Sequence, residues 1–170
     1  MLPEYAVLFV FLFLAVLFDL RERRIPNRLC LSGMLAGMGL RTVLRGVPGF
    51  LSGAAGIGLA ILPLFLLFRS GMLGAGDIKL FAVVGSFMGP GFLIRHIPAS
   101  FAAGAVISAV VLIRNHNIRE RFSRLAGYVR NKGRERYYEG GADGYRNAIH
   151  FSVPMVLAFL FLISFGEWGN

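Results

Sequence analysis

Six apolar blocks divide this chain, at about 4–18, 29–45, 50–68, 79–95, 99–113 and 151–168. None shows the apolar–polar alternation of a half-buried strand. Several approach the ~20 residues that cross a hydrocarbon core as a helix. The second and fifth blocks are shorter and rich in small residues. No small-residue cleavage signature follows the first block; Asp19 and an arginine cluster do, so it reads as a mature span rather than a signal peptide. The pattern predicts an all-α, polytopic membrane protein of about six transmembrane helices, with residues 1–170 forming one membrane domain.

Composition agrees. The chain is 56% hydrophobic and 16% charged, too little charge for an ordinary soluble domain of 170 residues. Charge placement then orients the spans. Fifteen of the eighteen basic residues fall in the connections after spans one, three and five, and only Arg41, Arg45 and Arg95 on the other side. By the positive-inside rule both termini are expected outside, and Asp19 and Asp77 come out at the cytoplasmic ends of their helices. Tyr5 and Trp168 then fall near the outer interface, where amphipathic rings settle.

The polar segment 114–150 carries nine bases and four acids (Glu120, Glu135, Glu139, Asp143). It reads as a basic cytoplasmic loop resting on anionic headgroups, with Ile118 to Val129 fitting an amphipathic surface helix. It lacks a recognition module, so nucleic acid is not an expected partner. Cys30 is the single cysteine, which excludes an intrachain disulfide and a CxxC metal site, and it reads as a packing residue. His96, His116 and His150 are scattered and read as interfacial or loop residues, so no metal or cofactor is expected. Gly33 to Gly37, Gly49 to Gly53 and Gly85 to Gly89 are small-xxx-small patterns that let helices approach closely, within one chain or between copies. Gly89-Pro90-Gly91 is expected to break or end the fourth span.

The candidate chemistry lies in two carboxylates at the edges of spans. Ionisable groups there are costly and mark function more often than packing. Asp77 sits in Gly74-Ala75-Gly76-Asp77-Ile78-Lys79; Asp19 opens the run that leads to Ile25-Pro26-Asn27. Two carboxylates in one site separate in pKa, so one can be ionised and activate water while the other is protonated and donates to a scissile carbonyl. Gly74 and Gly76 would loosen the helix start and admit water and an extended peptide. Lys79 would bias the charge state of the pair or anchor to headgroups. The plainer readings are an N-cap for Asp77 and, for Asp19, a helix-end acid balanced by Arg21, Arg23 and Arg24.

On these motifs the chain resembles the type IV prepilin peptidases, which are GxGD membrane aspartyl proteases, and most closely their short, Tad/Cpa-type members. Asp19 with Ile25-Pro26-Asn27 matches the first motif of that family, and Gly74, Gly76, Asp77 and Lys79 match GxGDxK. His150-Phe151-Ser152-Val153-Pro154 loosely matches the junction that opens the last span. The resemblance implies an enzyme of the cytoplasmic (inner) membrane, with Asp19 and Asp77 catalytic. It would cut the short basic leader from prepilin-like membrane substrates at the cytoplasmic face, needing no cofactor. The basic inner face would repel such a leader, so a local acid such as Glu22 is expected to help receive it. The extra region with paired CxxC motifs that longer, methylating members carry is not matched here, so peptidase activity without methylation is expected. Two other classes compete: an inactive membrane subunit of a pilus or secretion machine, and a small transporter whose edge acids bind ions.

Overall fold

The computed structural model describes residues 3–70, 73–114 and 150–166. The described residues are helical with short connections, and none is in a strand. They form α1 (Pro3–Glu22), α2 (Asn27–Arg69), α3 (Ala75–Arg114) and α4 (Ser152–Gly166). Three helical stretches, Pro3–Glu22, Asn27–Arg69 and Ala75–Val111, are long and apolar enough to cross a membrane; the apolar stretch Ser152–Phe165 is shorter. The chain divides into two compact units, Met1–Ala103 with His150–Asn170, and Gly104–Ile149. Of the second unit, the described part is the helical stretch 104–114. Most of the basic loop and Trp168 lie outside the described residues.

Two of the helices reverse direction. Inside α2, Gly46 has φ 64 and ψ −149. A Cβ on Gly53 would lie 3.6 Å from the Met38 side chain. In one straight helix those residues would be about 22 Å apart at 1.5 Å per residue. Inside α3, Gly89 has φ 74 and ψ −179. The rings of Phe81 and Phe101 are 6.3 Å apart, where a straight helix would separate them by about 30 Å. A positive φ suits glycine, and Pro48 and Pro90 follow each break closely, where a missing N–H costs least. Among the described residues six helical segments result.

The break in α3 falls at Gly89, within the Gly89-Pro90-Gly91 run expected to break or end the fourth span, and it cuts the apolar block 79–95 short. His96 is correspondingly not an interfacial or loop residue. It is fully buried, its Nε2 lies 3.0 Å from the Met155 carbonyl oxygen, and its ring packs against Phe81 and Phe92. The gap between the fourth and fifth apolar blocks, 96–98, therefore lies inside a helix.

The stretch 80–87 is the centre of the first unit. All eight of its residues are buried, so no face is left for a polar side. Glycines make this enclosure possible. A Cβ on Gly37 would fall on Ser86 and Phe87, and one on Gly56 would fall on the Gly85 carbonyl. The outer surface is the reverse of a soluble protein's: Phe13, Val43, Leu62, Leu66 and Phe165 are all exposed.

A polar knot fastens the bundle where both reversals occur. Arg41, predicted as an outside charge, is 4% exposed. It donates to the Phe87 carbonyl at 2.7 Å and to Ser52 Oγ at 3.0 Å. Phe87 precedes the break at Gly89, so its carbonyl stands where the helical ladder fails. Arg45 pairs with buried Glu4 at 2.9 Å. Arg41→Met is expected to destabilise by about 1–3 kcal/mol, because it leaves a buried acceptor unpaired. Thermal unfolding in detergent measures this, and an unchanged midpoint would contradict it.

Candidate active site

The site is built where α1 ends and where α2, α3 and α4 begin. Asp19 lies in the last turn of α1. That helix stops at Arg23, which takes the left-handed φ of 52, and its N–H still reaches the Asp19 carbonyl at 2.9 Å. Pro26, extended at φ −60 and ψ 132, then starts α2. Its carbonyl accepts from the N–H groups of Leu29 and Cys30. The Ile25-Pro26-Asn27 element is thus the tight link that turns the chain beside Asp19.

Asp77 is in the first turn of α3, two residues after its start at Ala75. It is not the N-cap; Gly74 holds that place. The Asp77 carboxylate instead accepts from the Gly74 N–H at 3.2 Å, the back-reaching half of a capping box. Gly74 and Gly76 do not supply the unusual backbone expected of them, since Gly46 and Gly89 are the positive-φ glycines of the described residues. What they supply is absence of bulk. A Cβ on Gly74 would stand 3.0 Å from the Asp77 carboxylate oxygen, and one on Gly76 would touch Ile25 at 3.6 Å.

The two sequence motifs therefore meet. Ile25 of the first lies over Gly76 of the second. Lys79 Nζ donates to Asn27 Oδ1 at 2.7 Å, joining the starts of α2 and α3. This contact is a third role beside the two weighed for Lys79. Asp19 and Asp77 are both half-buried. Asp19 has a further partner, Ser152, the first residue of α4, whose hydroxyl donates to Oδ2 at 2.5 Å. Among the described residues, no group of three or more His, Cys, Asp or Glu comes together to hold a metal ion.

Both carboxylates thus stand where helix ends and one tight link come together. Residues 6–113 match the sequence model of the type IV leader peptidase family. The chain belongs to that family. Neither a curated protein nor a solved structure matched it. As a member of a leader peptidase family it is a membrane protease by kind, and the matched stretch holds Asp19, Ile25-Pro26-Asn27 and Gly74 to Lys79. The match ends before α4, so Ser152 lies beyond it. Sequence reasoning passed over Ser152 as part of a junction. Its one local signal is a lone hydroxyl heading a strongly apolar helix.

The Lys79–Asn27 bond has a measurable consequence. Lys79→Met is expected to lower leader-peptidase activity about 3- to 10-fold, since the bond is charge-assisted but partly exposed. Asn27→Ala should match it, and the double variant should be no worse than either alone. Additive losses in cleavage assays would show that the two residues act separately.

Proposed function

We propose that this leader peptidase is an aspartyl endopeptidase that removes the short basic leader of type IV prepilin-like proteins at the cytoplasmic face of the inner membrane. The observation that carries this reading is the meeting of the two aspartate motifs through Ile25–Gly76 and Asn27–Lys79. One carboxylate, ionised, takes a proton from water as the water oxygen adds to the scissile carbonyl carbon. The other, protonated, gives its proton to the carbonyl oxygen. The tetrahedral adduct then collapses, breaking the C–N bond as the leaving nitrogen takes up a proton.

The six helical segments serve as six membrane crossings with both termini outside, and the charge bias favours the Asp19–Asp77 end as the inner one. No observation favours the inactive-subunit or transporter readings. The direct test is purified chain with a synthetic pilin-like peptide bearing a basic leader. Mass spectrometry should find leader and unmethylated mature fragment, and intact substrate after long incubation would overturn the proposal.

Glu22 is exposed at the end of α1, and we propose that it receives the leader. Around it Arg21, Arg23, Arg24 and Arg28 repel a basic peptide. Glu22→Lys is expected to raise KM severalfold at low salt with kcat little changed, since exposed charge pairs contribute about 0.2–1 kcal/mol and are screened. Unchanged KM at low salt would remove Glu22 from substrate contact.

A further inference from the structure

Ser152 is fully buried, yet its hydroxyl is not spent on its own helix. A serine that caps a helix accepts from a backbone N–H of the first turn. Ser152 instead donates across 133 residues of sequence to Asp19 Oδ2, at 2.5 Å.

Its neighbours fix where that hydroxyl stands. On one side the Phe151 ring packs against Phe81 and Phe101, at 6.1 and 5.2 Å. On the other, the Met155 carbonyl is held by His96, and Pro154 and Met155 are buried. The first turn of α4 is thereby pinned to α3, the helix that carries Asp77. Asp19 lies on a different helix, in a last turn whose side chain has two rotatable bonds. A hydrogen bond to one of its oxygens removes that freedom and leaves the other oxygen for water. Asp77 already has such a tether in the Gly74 N–H.

From this geometry we infer that Ser152 is a positioning residue for the proposed reaction. It holds the Asp19 carboxylate in register with Asp77 and makes the last helix part of the site. The inference rests on the aspartyl-peptidase reading above and assigns a role to a residue outside the stretch that the family match covers. Catalytic groups must be held within a fraction of an ångström, and the second shell of hydrogen bonds does the holding.

The test compares the full chain with Ser152→Ala, Ser152→Thr, Ser152→Val and Asp19→Asn, purified in detergent, on one synthetic pilin-like peptide. Thr and Val share shape and differ in the hydroxyl, so any cost of the extra bulk falls on both. Ser152→Ala and Ser152→Val are expected to lose about 10- to 100-fold in kcat, the scale of a hydrogen bond to a charged group. KM should stay within about twofold, because no substrate contact is removed. Ser152→Thr should recover at least about tenfold over Ser152→Val. Wild-type kcat in the Ala variant, equal rates for Thr and Val, or a loss confined to KM would each overturn the inference. Asp19→Asn separates the two levels. If it is inactive while Ser152→Ala is normal, the positioning role falls alone. If Asp19→Asn cleaves normally, the aspartyl reading falls and takes this role with it.

Discussion

Asp77→Asn and Asp19→Asn are each expected to lower cleavage by about 10²–10⁴-fold, the range that a positioned acid or base contributes. The substitution keeps the shape of the side chain and removes its proton chemistry. At position 77 the amide oxygen can still accept from the Gly74 N–H, so the start of α3 keeps its tether. At position 19 the amide oxygen can still accept from Ser152. Both variants should therefore fold and insert like the parent. The measurement is processing of a co-expressed pilin-like substrate in membranes, at matched protein level, with unfolding midpoints recorded alongside. Loss of processing with unchanged midpoints places the chemistry on the pair. Normal cleavage by either variant would remove the aspartyl mechanism. Combining the two should cost little more than one, because groups that act on one water fail as a unit.

The second large effect is structural. Gly85→Ala and Gly56→Ala are expected to be strongly destabilising, beyond the usual 1–3 kcal/mol of an overpacked core. The two glycines face each other so closely that a Cβ on either would fall on the backbone of the other. A side chain can turn aside, but a helix backbone has to move as a whole. Gly85 stands eight residues beyond Asp77 on the same helical segment, about 12 Å along its axis. Pushing that segment away from α2 would shift Asp77 against Asp19, and a misplacement near 1 Å can cost on the order of 100-fold in rate. Gly58→Ala is the internal control. Open space surrounds Gly58, and alanine there should be neutral or stabilising by up to about 1 kcal/mol. A Gly85→Ala variant that melts and cleaves like Gly58→Ala would refute the close contact.

Much of this arrangement is visible in the sequence because it is written locally. Apolar blocks of membrane-crossing length announce helices in lipid, and glycines four apart announce close packing. The two aspartate motifs stand out because acids at the edge of such blocks are costly. Gly89-Pro90-Gly91 signals its break, since two of the three residues lack a side chain and the third lacks an N–H. Other features depend on partners far away in the chain. Arg41 looks like a loop charge until Phe87 and Ser52 surround it. His96 looks interfacial until Met155 takes its ring nitrogen. Ser152 is one more small residue until Asp19 arrives from the other end of the sequence. No window of neighbouring residues contains those pairings. The glycines beside Asp77 teach a related lesson: their spacing suggested a loosened backbone, whereas the structure uses the room they leave.

The enclosure of residues 80–87 also decides what the bilayer can sense. A photoreactive probe dissolved among the acyl chains should mark Leu62, Leu66 and Phe165, which are exposed, and pass over Phe81, Val84 and Phe87, which are not. Thickness or fluidity of the membrane then reaches the stretch 80–87 only second-hand, through the neighbours that wrap it. The stretch next to the site is insulated from its solvent much as the interior of a water-soluble enzyme is insulated from water.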